Sequence, residues 1–142
     1  MKAMRILIAV LALAGVVVSV LALRVHYSTA TEPCSINEHW DCGIVNHSSF
    51  AELAHLPVAA IGIAGYLAIG VLGMARQRYL LLLAVLTGLG FALRLTFIEE
   101  YVLTVWCLYC VISQCIIGLL TLLSLGWFTA EYVGLRKSRG AR

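Results

Sequence analysis

Five cysteines are the residues of this chain whose type and spacing could carry chemistry. Cys34 and Cys42 lie eight positions apart in a polar segment, and Cys107 and Cys110 lie three apart near the start of an apolar run. Two cysteines three apart share one helix face and are close enough to form a disulfide. A helix N-terminus lowers the pKa of the first thiol, which suits thiol–disulfide exchange. The second pair therefore predicts redox chemistry.

Structural disulfides offer a simpler explanation of the same residues. Disulfides persist in oxidising compartments, so for Cys34 and Cys42 a structural bond and a redox pair both stay open. A structural role suits Cys107 and Cys110 less, because a disulfide within one helical turn constrains little that the helix has not already fixed. Cys115 falls on a different helix face from Cys110 and is predicted to be a small buried hydrophobe.

Metal binding is a further alternative for the polar segment. Cys34, His39, Cys42 and His47 have a spacing that could hold zinc, but this spacing differs from those of common zinc fingers. The sequence therefore predicts no metal site. The histidines are interpreted as solvated or interfacial loop residues.

The composition is that of a multi-span membrane protein. The chain has 142 residues, of which 62% are hydrophobic and 12% charged, and its mean hydropathy is +0.97. This length leaves room for one domain. The net charge of +3 comes from Lys and Arg residues at turns and chain ends, a pattern that signals topology and predicts no nucleic-acid partner.

Four apolar runs are predicted to be transmembrane helices, since about 20 helical residues span a hydrocarbon core roughly 30 Å thick. Their ranges are 6–24, 57–75, 79–98 and 102–130, and the polar segment 25–56 forms an outer redox loop. The predicted fold class is an all-α membrane protein, a four-transmembrane-helix bundle in a single domain of residues 1–142. A cleaved signal peptide also begins like residues 6–23, but the length of that run favours a retained helix.

The outer loop carries a predicted short interfacial half-helix. Ser49 and Glu52 form a capping-box pattern, and a helix from there through His55 would stop at Pro57. The apolar stripe of this helix is Phe50, Leu53 and Ala54. Such a helix would lie along the membrane surface as a lid over the bundle.

Positive charges predict the orientation of the bundle. Lys2, Arg5, Arg76 and Arg78 fall on one side with the basic tail, and the positive-inside rule makes that side cytoplasmic. Both termini are then cytoplasmic and the loop is outside. Counting about 20 residues back from position 130 reaches position 110. The Cys-x-x-Cys pair therefore lies at the outer membrane boundary.

Arg94 is the one charged residue within the third predicted helix. It lies near the outer end, where it could snorkel to the interface or pair with Glu99 or Glu100. The alternative that gives Arg94 a catalytic role is that it polarises a quinone or a thiolate. Snorkelling or pairing is favoured.

Taken together, the order and spacing of these features resemble the vitamin K epoxide reductase family in its bacterial, quinone-coupled form. The resemblance rests on the four-helix bundle, Cys34 and Cys42 in the first outer loop, and Ser48 six positions after Cys42. A short lid-like helix and Cys107-Leu-Tyr-Cys110 at the outer start of the last helix complete it. It covers nearly the whole chain.

The resemblance implies a role for each of these residues. Cys34 would be the thiol exposed to a separate thioredoxin-like (DsbA-like) partner, and Cys42 would form a transient disulfide with Cys107. Cys110 would face the quinone, and Ser48 would support the redox centre. These roles imply a quinone-dependent thiol–disulfide oxidoreductase in a bacterial inner membrane, with the redox loop in the periplasm.

Two positions depart from the vertebrate members of the family. Gln114 stands where those members carry a tyrosine, and Val58 aligns with their quinone-binding asparagine. The resemblance still implies a quinone, menaquinone or ubiquinone, as the electron acceptor, while reduction of vitamin K or its epoxide stays open. The implied quinone-site residues are Cys110, Val58, Gln114, Phe50 and Leu53.

Two other functions compete with this interpretation. A DsbB-like oxidoreductase also has four helices and two cysteine pairs, but its Cys-x-x-Cys lies in the first outer loop, whereas here that motif starts the last helix. The other candidate is a non-catalytic membrane protein whose loop is held by structural disulfides. The interpretation as a quinone-dependent oxidoreductase that resembles the vitamin K epoxide reductase family is favoured over both.

Overall fold

The computed structural model describes residues 2–29 and 33–140, which form five α-helices and one small hairpin. The helices are α1 (Lys2–Tyr27), α2 (Cys42–Asn46), α3 (Val58–Met74), α4 (Arg78–Ile98) and α5 (Leu108–Gly140). A 3-10 turn at Ser49–Ala51 and the strands β1 (Glu52–Leu53) and β2 (Leu56–Pro57) lie between α2 and α3, and a π-helical turn at Glu99–Leu103 extends α4.

Three of the helices are long and apolar enough to cross a membrane. They are α1, α4 together with its π-helical turn, and α5. Helix α3 is also apolar but has 17 residues, which at about 1.5 Å per residue is near the lower limit for a span. The architecture is therefore all-α and membrane-like.

Helix α1 forms one side of the core and packs closely against α3. Small residues permit the approach: Gly15 lies against the ring of Tyr66, and Gly73 lies against Ile8. Ile8 and Tyr66 belong to a buried cluster that also contains residues of α4 and α5, among them Leu81 and Leu120. This cluster holds the four long helices together.

The last helix begins six residues later than predicted. The predicted range of 102–130 has no break, but the chain forms the π-helical turn at 99–103 and then reverses at Thr104, whose φ of 54° is left-handed. Leu108 is the first residue of α5. Apolar composition alone does not distinguish a helix from the non-helical segment 104–107, so the sequence pattern missed this break.

The predicted half-helix in the loop was wrong. Only a 3-10 turn forms at 49–51, Ser48 and not Ser49 precedes it, and no side-chain cap bond is made. The chain then forms an antiparallel hairpin whose turn residues, Ala54 and His55, have φ of 52° and 65°. Two such residues are typical of a type I′ turn. Pairing of Leu53 with Leu56 replaces the helical turn that the capping-box pattern predicted.

The contact between Gly15 and Tyr66 gives a test of the packing. A Cβ on Gly15 would overlap the Tyr66 ring, whereas a Cβ on Gly118 would meet nothing within 4 Å. We expect Gly15→Ala to cost about 1–3 kcal/mol, as overpacking does. A thermal melt in detergent should show a Tm several degrees lower for Gly15→Ala than for the matched control Gly118→Ala. Equal melting temperatures would contradict this packing.

Candidate active site

The first cysteine pair is held in a loop organised by Asp41. Cys34 and Cys42 form a disulfide with a Cα–Cα distance of 5.7 Å. Asp41 caps α2: its Oδ1 accepts hydrogen bonds from the Ser35 hydroxyl (2.8 Å) and the Gly43 amide (2.8 Å). Because an aspartate favours this capping position, α2 begins at Cys42.

The same hydrogen bonds favour the charged form of the Asp41 carboxyl. The Ser35 hydroxyl is the largest cause that lowers the pKa of Asp41 below its usual value of 3.8, and the amides of Ile44 and Gly43 add to it. Burial opposes the shift. The cap is therefore intact at neutral pH.

A backbone bridge joins this loop to the segment that precedes the second pair. The Trp106 amide donates to the His39 carbonyl (2.8 Å), and the Asp41 amide donates to the Trp106 carbonyl (3.0 Å). The indole rings of Trp40 and Trp106 lie 6.2 Å apart. Since Cys42 follows Asp41 and Cys107 follows Trp106, the bridge brings the two cysteine pairs together.

Asn46 connects the two pairs through its side chain. Its Nδ2 donates to the Cys42 carbonyl (2.9 Å) and to the Cys107 sulfur (3.5 Å), and only 7% of the residue is exposed. The His26 ring contacts the Asn46 carbonyl through Nδ1 at 2.6 Å. Sequence reasoning missed Asn46. Its position four residues after Cys42, on the same helix face, was the available signal.

The second pair lies at the N-terminus of α5. Cys107 precedes the helix and is fully buried, while Cys110 lies in the first turn. The Cys110 thiol hydrogen-bonds the Cys107 sulfur and is the largest cause that lowers the pKa of Cys107; the Cys110 and Tyr109 amides also lower it. Burial and the charge of Glu99 act in the opposite direction.

Glu99 is the second residue that the sequence analysis did not place at the site. Its Oε2 accepts a hydrogen bond from the Cys107 amide (3.1 Å), and 3% of the residue is exposed. Sequence reasoning considered Glu99 only as a partner for Arg94. In the described residues Arg94 is exposed and forms no ion pair with Glu99 or Glu100, so of the two favoured alternatives the pairing does not form and snorkelling remains.

An apolar cavity of about 730 Å³ opens beside the second pair. It lies among α1, α3, α4 and α5, and its volume and lining suit a ligand that is mostly apolar. The few polar groups include Tyr66, whose hydroxyl contacts the Ser113 carbonyl and hydroxyl at 2.9 and 2.8 Å. All the predicted quinone-site residues line it, namely Phe50, Leu53, Val58, Cys110 and Gln114.

The structure brings the predicted redox residues together, with two differences from expectation. Cys34, Cys42 and Cys107 share one buried cluster, against which Cys110 packs. Cys34, which the resemblance implies to be exposed to a partner, is 2% exposed in this disulfide-bonded form. Cys115 is exposed on α5, so its predicted burial was wrong: its helix face points away from the core.

Ser48 and the loop histidines have contacts of their own. The Ser48 hydroxyl donates to the Val45 carbonyl (2.7 Å), and Ser48 also lines the cavity. His47 Nδ1 contacts the Gly43 carbonyl at 2.7 Å.

Within residues 2–29 and 33–140, no three side chains of the His, Cys, Asp and Glu types are arranged to hold a metal ion.

Comparison with known families assigns the chain. The family model described as Vitamin K epoxide reductase family matches residues 6–125, which include every cysteine and the loop between the pairs. The chain belongs to the vitamin K epoxide reductase family. This match confirms the resemblance and makes the chain an integral membrane oxidoreductase. A search of curated proteins found no match.

The Asp41 cap gives a test of the loop geometry in this family member. We expect Asp41→Ala to cost about 1 kcal/mol of local stability, as loss of an N-cap does, and so to speed reduction of the Cys34–Cys42 disulfide by a soluble dithiol about fivefold. Asp41→Asn keeps a capping side chain and is the matched control. Mass-tagging of free thiols over time measures both rates.

The effect of Asp41→Ala should also depend on pH. A carboxyl whose pKa is lowered on folding stabilises the fold above its unfolded pKa, and this stabilisation is lost as the pH falls through the folded value. The alanine variant should therefore differ from the wild type at pH 7, and the difference should shrink as the pH falls below 3.8, the usual pKa of the carboxyl. A difference that persists unchanged in acid would contradict the role of the charged cap.

Proposed function

We propose that this chain is a quinone-dependent thiol–disulfide oxidoreductase that passes electrons from a thioredoxin-like partner to a membrane quinone. The observation that carries the proposal is the contact network of Asn46, which donates to both the Cys42 carbonyl and the Cys107 sulfur. It supports direct exchange between the two cysteine pairs. The adjoining apolar cavity, lined by Cys110, supports a lipid-soluble acceptor.

We infer a four-span topology for this activity. Helix α3, although short, has the minimum length for a span and packs beside α1. Basic residues lie at the helix ends that are far from the cysteines, namely Lys2 and Arg5 at the start of α1 and Arg76 and Arg78 between α3 and α4. By the positive-inside rule they support cytoplasmic termini, with the redox loop in the periplasm of a bacterial inner membrane.

The proposed relay begins with the partner. A reduced, separate DsbA-like protein attacks the Cys34–Cys42 disulfide, and burial of Cys34 means that the loop must open first. The freed Cys42 thiolate attacks the Cys107 sulfur of a Cys107–Cys110 disulfide. Cys110 leaves as a thiolate facing the cavity and takes up a proton released by the partner thiols. The second partner thiol then frees Cys34 from its mixed disulfide, and Cys34 attacks Cys42, which re-forms the Cys34–Cys42 disulfide and releases the Cys107 thiol. Ser48 supports the attack by Cys42 by tying its hydroxyl to the end of α2, the helix that carries Cys42.

Reoxidation completes the cycle. The thiols of Cys107 and Cys110 become a disulfide, two electrons and two protons pass to the quinone, and a hydroquinone leaves. Net, one partner dithiol is oxidised and one quinone is reduced. The depressed pKa of Cys107 favours its release from the Cys42–Cys107 disulfide, because a thiol of lower pKa is the better leaving group in exchange.

The proposed quinone site is the cavity between the helices. Val58 and Gln114 line it from α3 and α5, and Phe50 and Leu53 line it from the loop and hairpin. Gln114 accepts a weak contact from the Thr96 hydroxyl at 3.5 Å, which leaves its amide nitrogen available as a hydrogen-bond donor to a quinone carbonyl. Menaquinone or ubiquinone fits this description.

Turnover with purified components tests the function. We expect the protein to reduce ubiquinone or menaquinone when supplied with a reduced thioredoxin-like protein. Absorbance at the wavelength where the oxidised quinone absorbs most should fall in proportion to the partner thiols consumed. Cys107→Ala should abolish the reaction, while Cys115→Ala should leave it unchanged. An inert wild type would favour a non-catalytic protein with structural disulfides.

Trapping tests the order of the relay. Removal of Cys110 prevents Cys107 from re-forming its own disulfide, and removal of Cys34 prevents Cys34 from attacking the Cys42 sulfur. Either Cys34→Ala or Cys110→Ala should therefore accumulate a Cys42–Cys107 disulfide, which peptide mass spectrometry detects. If Cys34→Ala instead accumulates a Cys42–Cys110 disulfide, or if neither variant accumulates the Cys42–Cys107 bond, the relay order is wrong.

Filling the cavity tests the quinone site. Val58→Trp places a large ring among the lining residues, and overpacking of about 1–3 kcal/mol should raise the quinone KM about tenfold or more. Leu122→Trp is the matched control because Leu122 is 68% exposed on α5 and does not line the cavity. Thiol exchange with the partner should not change in either variant. An unchanged KM in Val58→Trp would place the quinone elsewhere.

A further inference from the structure

Glu99 carries the one carboxyl side chain that is buried within the described residues. It lies in the π-helical turn that follows α4, and 3% of the residue is exposed. Its neighbour Glu100 is exposed. Within the described residues no lysine, arginine or histidine pairs with Glu99, and Arg94, the nearest cation in sequence, is exposed. A buried carboxyl without a cationic partner is costly, so its retention needs an explanation.

Within the described residues, the hydrogen bonds of the Glu99 carboxyl go to the reactive pair. Its Oε2 accepts the Cys107 amide hydrogen bond of 3.1 Å, and its carboxyl also lies within hydrogen-bonding reach of the Cys110 thiol. The titratable groups that face Glu99 are thus the thiols of Cys107 and Cys110. Glu99 also lines the cavity that Cys110 lines. One carboxyl therefore joins the amide of one cysteine, the thiol of the other and the acceptor site.

The π-helical turn explains how Glu99 reaches this place. A regular helix would continue along α4, but the wider turn and the left-handed Thr104 return the chain toward Trp106. The return of the chain places the Cys107 amide over the Glu99 carboxyl, eight residues earlier in the sequence. Wide turns of this kind are frequent at functional sites.

We propose that Glu99 is the proton carrier between the Cys110 thiol and the quinone. When the Cys107–Cys110 disulfide forms, two S–H bonds break, one S–S bond forms, and two electrons and two protons must reach the quinone. The Cys110 proton moves to the Glu99 carboxylate and from there to a quinone oxygen. The second proton follows the same route, from the Cys107 thiol to the Cys110 sulfur that is hydrogen-bonded to it, then to Glu99 and to the other quinone oxygen, so that Glu99 ends the step as a carboxylate.

This role rests on the proposed function and adds a residue to it. The cavity is lined mainly by apolar side chains, so water cannot readily serve as the proton carrier there. The hydroxyls of Tyr66 and Ser113, also at the cavity, are engaged with each other. Glu99 is the carboxyl group that contacts the reactive pair, through the Cys107 amide and the Cys110 thiol, and also lines the cavity.

Single-turnover kinetics with Glu99→Gln tests the proposal. Glutamine keeps an oxygen that can accept the Cys107 amide hydrogen bond but cannot carry a proton. Pre-reduced protein is mixed with a soluble ubiquinone analogue, and quinone absorbance and disulfide formation are followed together. We expect quinone reduction to slow about 100-fold or more, the usual size of a general acid–base contribution. Glu100→Gln, altered at an exposed position, should stay within twofold of the wild type.

A second measurement separates proton transfer from a structural role. In a Cys110→Ala background, Glu99→Gln should still accumulate the Cys42–Cys107 disulfide within threefold of the parent rate, because that exchange does not need the carrier. The pH profile of quinone reduction in the wild type should change shape in Glu99→Gln, because the titration of the carboxyl is removed while that of the two thiols remains. Added formate or acetate should increase the rate of quinone reduction by Glu99→Ala at least tenfold.

Each contrary outcome has a distinct meaning. Quinone reduction by Glu99→Gln at the wild-type rate, or an unaltered pH profile, overturns the proton-carrier role while leaving the proposed function intact. Parallel loss of quinone reduction and of Cys42–Cys107 exchange overturns it in favour of a purely structural contact. A wild type that reduces no quinone removes the proposed function itself, and with it the need for a carrier.

Discussion

The pairing of two backbone segments, at Trp40 and Trp106, is the constraint on which the rest of this site depends. Two hydrogen bonds, from the Trp106 amide to His39 and from the Asp41 amide to Trp106, hold a loop against a segment that lies more than sixty residues later. Backbone hydrogen bonds fix direction and register as well as distance. Each cysteine pair adjoins this bridge, so the bridge sets which sulfurs can meet.

Burial around the bridge gives the site its chemical character. Cys42 and Cys107 are fully buried in a small apolar cluster, and Asn46 supplies a polar contact to both segments. Thiolates in such surroundings need donors, and the N-terminus of α5 with the Cys110 thiol provides them to Cys107. A low-polarity site with a few fixed donors strengthens each of those contacts. The same burial restricts access, so exchange with an aqueous partner requires loop movement.

Helix packing places the acceptor side of the site. Close contacts between α1 and α3, made possible by Gly15 and Gly73, leave a cavity toward α4 and α5 with Cys110 in its lining. The π-helical turn brings Glu99 to the same place from α4. A soluble thiol that reaches the Cys34–Cys42 disulfide and an apolar ligand in the cavity beside Cys110 would thus approach the site from different directions.

The sequence by itself determined the helical membrane architecture, the family and the cysteines, because hydrophobic run length and cysteine spacing are local properties. It failed where two local patterns competed: Ser49 and Glu52 suggested a helix, but a hairpin with left-handed Ala54 and His55 formed. Only the tertiary structure decided that Cys115 faces outward and that Asn46 and Glu99 contact Cys107. Those contacts join residues from 8 to 61 positions apart, and no periodicity within one helix encodes them.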